Sequence, residues 1–88
     1  MWFVYVVRCA DDTLYCGIAR DVAARLAEHE AGKGAKYTRG RGPLTLLLAR
    51  GCRAKGTALR LEYAIKQLPR AEKERLDAKR VAALARRL

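Results

Sequence analysis

Apolar positions come in short dense runs at the start of the chain and at helical spacing further on. WFVYVVR at 2–8 and TLYCGI at 13–18 are rich in aromatic and β-branched residues, which fit a pleated, half-buried surface. Ala10-Asp11-Asp12-Thr13 between them has turn composition, so the two runs read as an antiparallel hairpin. Alternate residues of a strand share a face. Phe3, Tyr5 and Val7 therefore point one way, and Thr13, Tyr15 and Gly17 lie along one face of the partner. The register decides whether Tyr5 and Tyr15 meet.

Asp21 is a candidate N-cap for a helix running through Val22, Leu26 and Ala27 to Gly32. Arg25 and His29, four residues apart, project from one side of it, and Val22 borders that side, which puts the pair at the edge of the buried stripe. The apolar run Leu44 to Ala49 predicts a buried central strand, followed by a basic turn from Gly51 to Gly56. Thr57 to Leu68 predicts a helix with Ala58, Leu61, Ile65 and Leu68 on one face. At roughly 100° per residue, Glu62 falls about 40° from Ala58 and about 60° from Ile65, on the flank of that face. Pro69 ends this helix. Ala71 to Arg87 predicts one last basic amphipathic helix through Leu76, Val81 and Leu84, packed on the domain. With no repeat or linker, the 88 residues make one domain.

Apolar types make up 51% of the chain, enough for one modest core and only marginal stability at this size. Charge changes the picture more. The net charge is +10, and polyanions are the common partner that relieves such self-repulsion. No acid lies between Glu30 and Glu62, whereas Lys33, Lys36, Arg39, Arg41, Arg50, Arg53, Lys55 and Arg60 all do. One-sign clustering of this kind fits phosphate contacts better than generic solubility. Within it, GKGAKYTRGRGP reads as a flexible basic loop with one aromatic, Tyr37. Lys33, Lys36, Tyr37, Arg39 and Arg41 are candidate nucleic-acid contacts, with base stacking on Tyr37 if bases are unpaired; a solvated loop is the alternative. WFVYVV is too short for a signal peptide and Arg8 interrupts it, and no stretch reaches a membrane-spanning length. Cys9, Cys16 and Cys52 lack the paired spacing of a zinc site. They read as reduced thiols of a cytoplasmic protein without a disulfide-linked partner.

Tyr5, Tyr15, Arg25, His29 and Glu62 are the candidates for chemistry. Singly, each has an ordinary explanation: packing for the tyrosines, solvation for Arg25, a structural role for His29, and an exposed i,i+4 pair with Lys66 for Glu62. Their order along the chain is more specific. VYV at 4–6, YCG at 15–17, RLAEH at 25–29 and a lone mid-helix Glu62 resemble the GIY-YIG nuclease superfamily. The likeness spans about residues 2–68 and is nearest to its small stand-alone bacterial members, the UPF0213 group. GKGAKYTRGRGP and ALRLEYAIKQL resemble that group's own signatures.

The resemblance implies an α+β fold, a small three-stranded antiparallel sheet flanked by helices, with Tyr5, Tyr15, Arg25, His29 and Glu62 converging on one cleft. It implies an endonuclease acting on phosphodiester bonds of DNA with one Mg²⁺ or Mn²⁺ ion held by Glu62. A hard carboxylate suits either ion, with waters and phosphate oxygens completing the octahedron. Arg25 would hold a non-bridging oxygen through its fork of donors. Tyr15 is the candidate general base, a role needing nearby cations because free tyrosine titrates near ~10. Tyr5 and His29 would orient water or move the proton. The chain departs from the pattern in three ways. The first motif lacks its glycine and isoleucine, Cys16 stands for isoleucine in the second, and no Asn follows Glu62 because the chain has none. The missing Asn and the lack of a separate targeting domain keep a second reading open, a non-catalytic nucleic-acid-binding module on the same fold. A third, a protein-interaction domain, leaves the tyrosine–arginine–glutamate set unexplained.

Overall fold

Strands β1 (Trp2–Arg8) and β2 (Leu14–Ala19) form the expected hairpin in a computed structural model that describes residues 1–31 and 43–88. The Cys9 carbonyl accepts from Asp12 N at 2.9 Å, and Cys9 N donates to the Thr13 carbonyl at 2.8 Å. Asp12 sits at φ 70°, the left-handed conformation that closes a three-residue hairpin loop and that Asp tolerates better than most residues. Asp11 Oδ1 braces the turn by accepting from Thr13 N and Oγ1 at 3.2 and 2.6 Å.

Helix α1 (Val22–Glu30) follows, capped as its sequence predicts: Asp21 Oδ1 accepts from Ala24 N at 3.0 Å. The third strand, β3 (Thr45–Cys52), pairs antiparallel with β1, giving the sheet order β2-β1-β3. The expected α+β fold is therefore present, but the apolar run at 44–49 is not its central strand. That place belongs to β1, whose Val4 to Val7 are buried on both faces. β3 lies at an edge and leaves Leu46 and Leu47 44% and 41% exposed. An apolar run does not say how many neighbours a strand has. Here β1, flanked on both sides, carries the tightest burial, although Arg8 ends it.

The two faces of β1 build two cores. Val4 and Val6 pack with Cys16, Leu48 and Cys52 against Ala58, Leu61 and Ile65 of α2 (Lys55–Lys66) and Val81 of α4 (Ala78–Ala85). Tyr5, Val7 and Ala19 pack on the opposite face, with Tyr15, Leu44, and Val22 and Leu26 of α1. Helix α2 starts two residues before its expected boundary and stops at Lys66, which shortens the basic turn before it.

The single helix expected from 71 to 87 is two, α3 (Arg70–Glu74) and α4. Asp77 interrupts it: its Oδ1 accepts from Arg80 N at 2.8 Å, making it an N-cap instead of a helical residue. Arg8 ties α3 back to the hairpin, donating to Glu74 Oε2 at 3.3 Å and to Asp12 Oδ1 at 3.0 Å. Among the described residues no helix is long and apolar enough to cross a membrane, and Cys9, Cys16 and Cys52 are free, buried thiols.

The Asp77 cap makes a stability prediction. Asp77→Ala removes an N-cap acceptor, a change that costs about 1 kcal/mol, or roughly 4–8 °C in melting temperature for a domain of this size. Thermal unfolding followed by circular dichroism measures it. An unchanged melting temperature would mean that the break between α3 and α4 is set by packing alone.

Candidate active site

Cross-strand register places the site. Tyr5 pairs with Gly17 and Val7 with Tyr15, so both tyrosines rise from the face that α1 covers. Their ring centroids lie 6.4 Å apart. His29, in the last turn of α1 and 2% exposed, stands 5.5 Å edge-on from the Tyr15 ring. Its Nε2 is 3.0 Å from Tyr5 Oη in a buried hydrogen bond. His29 is thus more deeply buried than the edge position that helical spacing predicts. The reason is the phenol across from it, which supplies a polar partner inside the sheet–helix interface.

Gly17 makes this geometry possible. A Cβ there would come within 2.6 Å of Tyr5 Oη and 2.8 Å of its Cζ, so the phenol lies on the bare backbone of β2. Sequence reasoning assigned Gly17 no role. The available signal was a glycine inside a strand, which often marks close approach of another group.

Arg25, one turn before His29, adds a guanidinium to the cluster. Its charge acts on the Tyr5 phenol, and it donates to Glu28 Oε2 at 3.0 Å, leaving its side chain 35% exposed. Burial, then the neighbouring Tyr15, pushes Tyr5 up to about 12 despite the opposing pull of Arg25. Tyr5 therefore keeps its proton at neutral pH. A phenol that keeps its proton can donate it, so we assign Tyr5 Oη as the donor to His29 Nε2, and the neutral ring carries its one N–H proton on Nδ1. Burial, with the Arg25 charge second, lowers the pKa of His29, which favours the neutral ring this bond needs.

Glu62 lies on α2, whose core side chains pack on the other face of the sheet. Its side chain, 19% exposed, pairs with Lys66 Nζ at 3.4 Å. It also acts on β2. Cys16 is pushed up to about 12, first by burial and then by the Glu62 charge, and Cys16 lies between Tyr15 and Gly17. Glu62 therefore flanks the edge strand that carries Tyr15, while Tyr5, Tyr15, Arg25 and His29 form one cluster. Beside it, Tyr15, Cys16 and Lys66 line a cavity of about 280 Å³ with Leu14, Ile65, Lys73 and Leu76. No three potential metal-binding side chains group together among the described residues, so no protein cage exists there. A single partly exposed carboxylate instead fits the water-rich coordination in which Mg²⁺ takes one or two carboxylates and substrate phosphates. Lys33, Lys36, Tyr37, Arg39 and Arg41 lie outside the described residues.

With this geometry in hand, comparison with known proteins is direct. Residues 1–75 match the GIY-YIG catalytic domain. UPF0213 proteins are similar over nearly the whole chain. One from Cronobacter sakazakii is 51% identical over 81 residues, covering 92% of this chain and 85% of that protein. Another, from Vibrio cholerae, is 52% identical over 89 residues, covering 97% and 81%. The solution NMR structure of a UPF0213 protein from Bacillus halodurans aligns with a TM-score of 0.55 at 45% identity, covering 84% of this chain and 80% of that one. The chain belongs to the GIY-YIG nuclease superfamily, and within it to the UPF0213 proteins.

Two measurements check the buried pair. His29 is the chain's one histidine, so its ring protons titrate alone in NMR, with a midpoint below the ordinary 6.5. The folded state then holds fewer protons than the unfolded chain between that midpoint and 6.5. Stability accordingly rises with pH through this interval and falls on acidification below about 6.5. A midpoint at or above 6.5 would contradict the buried neutral ring. Separately, Gly17→Ala displaces the Tyr5 phenol by overpacking, at a cost of about 1–3 kcal/mol. Urea unfolding reads that cost, and the His29 midpoint should move toward 6.5 as the phenol leaves.

Proposed function

We propose that this protein is an endonuclease that hydrolyses phosphodiester bonds in DNA with one Mg²⁺ or Mn²⁺ ion. The observation that carries this reading is the convergence of Tyr5, Tyr15, Arg25 and His29, four residues of the superfamily pattern, on one side of β2, with Glu62 flanking the same strand. In this reading Glu62 holds the ion together with waters and substrate oxygens, and Lys66 swings aside. An exposed i,i+4 pair of this kind is worth only tenths of a kcal/mol, and Lys66 is half exposed. When bound, such an ion polarises the phosphoryl group and offsets its negative charge.

The chain's own residues divide the remaining work. Arg25 is partly exposed and paired with the exposed Glu28, and once turned from that pair its fork can hold a non-bridging phosphate oxygen and the charge that grows on it. Tyr5 does not serve as a base, because its phenol keeps its proton; it fixes the ring of His29. Tyr15 borders the cavity and is the general base toward water, with His29 edge-on beside it. The chain's lack of Asn and the Glu62–Lys66 ion pair favour the second reading, a binding module that leaves DNA intact.

Cleavage separates the two. Incubated with supercoiled plasmid and Mn²⁺ or Mg²⁺, the wild type should produce nicked circles, and EDTA should stop it. Glu62→Gln, Tyr15→Phe and Arg25→Ala should each slow nicking about 10²-fold or more, the usual effect of losing a general base or a charge-stabilising donor. Tyr63→Phe, a change at an exposed ring, should leave the rate alone. Equal nicking by all five proteins would expose a contaminant, and binding without nicking would select the module.

A further inference from the structure

The cations of the described chain are unevenly matched. Arg8 at the hairpin, Arg25 on α1, Lys66 on α2 and Arg70 on α3 each face a carboxylate within 4 Å. Two cations that do not are brought together on one aromatic ring. Trp2, half-buried at the start of β1, has the Arg20 guanidinium 5.4 Å and the Lys55 ammonium 5.0 Å from its ring centroid. Neither Arg20 nor Lys55 has a carboxylate partner among the described residues. Arg53 is exposed nearby, next to Cys52, which pairs with Trp2. Two like charges on one indole repel each other. Cation–π attraction at an exposed site, about 0.5–1 kcal/mol, is a weak counterweight to leaving both without an anion.

The position of this cluster gives it meaning. Lys55 and Glu62 are seven residues apart on α2, which is close to two full turns, so they share one side of the helix. Seven residues at about 1.5 Å each separate them by roughly 10 Å along its axis. Lys66 lines the cavity beside Tyr15 and Cys16, the Glu62 charge reaches Cys16, and Lys55 lies at the end where β2 runs into Arg20. The seam between α2 and β2 therefore has cations at both ends and the carboxylate between them. A stacked nucleic-acid strand advances about 3.4 Å per nucleotide, so roughly 10 Å corresponds to about three nucleotides.

We propose that Trp2, Arg20 and Lys55 form a phosphate-binding subsite that holds the nucleic-acid backbone about three nucleotides from the phosphate at Glu62. The subsite deepens the nuclease reading and rests on its nucleic-acid partner, but not on cleavage. Arg20 and Lys55 grip the backbone beside the indole, which holds both cations near one point. Because this contact reads no base, it contributes affinity and register without sequence preference.

The test uses the 88-residue chain, EDTA and a fluorescein-labelled 20-base-pair duplex, with affinity measured from about 50 to 200 mM salt. Arg20→Gln/Lys55→Gln should weaken binding at every salt concentration and reduce the slope of log affinity against log salt by about 2, one per lost phosphate-facing charge. Arg86→Gln/Arg87→Gln, with the same loss of charge on the exposed last turn, should keep the wild-type slope. Trp2 is the chain's one tryptophan, so its emission should change on addition of unlabelled duplex and saturate with the same affinity. An unaltered slope in the Arg20/Lys55 variant overturns the subsite, as does an equal loss in the control pair. Trp2 emission that responds as strongly to polyglutamate of matched charge also overturns it, in favour of an acidic protein partner. A changed slope with no plasmid nicking leaves the subsite standing and sinks the nuclease; nicking with an unchanged slope does the reverse.

Discussion

A phenol lying on a glycine, with its hydroxyl bonded to a buried imidazole, is the constraint around which the site is arranged. Tyr5 occupies the middle of the central strand, and Gly17 across from it has no side chain to lift the ring away. The 3.0 Å bond to His29 Nε2 then joins the sheet to the last turn of α1. Breaking that bond would strand a buried donor or acceptor, which costs more than the bond is worth when made. The same contact sets both protonation states. Burial holds the proton on Tyr5 and removes it from His29, so the pair is neutral beside the Arg25 charge. Tyr15 and the half-exposed side of Arg25 are left to face outward.

The sheet divides the labour of the helices. Helix α1 closes the face with the tyrosines and supplies Arg25 and His29, while α2 and α4 close the other and complete the larger core. The edge strand β2 is where the two sides communicate. Its alternating side chains send Tyr15 to one face and Cys16 to the other, and Glu62 acts on Cys16. A carboxylate and a phenol from opposite layers thereby flank one narrow strand. Fixing this arrangement in a small domain leaves little room for counter-charges. The excess of cations gathers along the same seam, at Arg20 and Lys55 on one end and Lys66 and Lys73 on the other.

Much of this was legible in the residues. The hairpin followed from two β-rich runs around a turn, the α1 cap from Asp21, and the shared face of Tyr5 and Val7 from strand alternation, whereas only the register brought Tyr15 to that face. Glu62 on the flank of the buried stripe followed from helical geometry, and its ion pair with Lys66 from i,i+4 spacing. These features depend on neighbours close in sequence, where local stereochemistry acts. The ordered tyrosine, arginine, histidine and glutamate pattern also identified the superfamily, although three motif positions depart from it.

Other features required the chain to be folded. Leu44 to Ala49 is leucine-rich, yet it belongs to an edge strand, because strand order depends on which partners pair and not on hydrophobicity along one segment. Asp77 ends one helix and starts another because its carboxylate finds Arg80 N, a competition that the spacing of Leu76, Val81 and Leu84 conceals. The depth of His29, the need for glycine at 17 and the meeting of Arg20 and Lys55 over Trp2 arise from contacts between segments remote in sequence. The chain by itself determined its local elements, its excess of positive charge and its family, since each is written in residue type and short-range spacing. Tertiary structure alone decided which strand is central, which groups keep their protons and which cations lack an acid, because burial and Coulomb forces act through space between residues that the sequence holds apart.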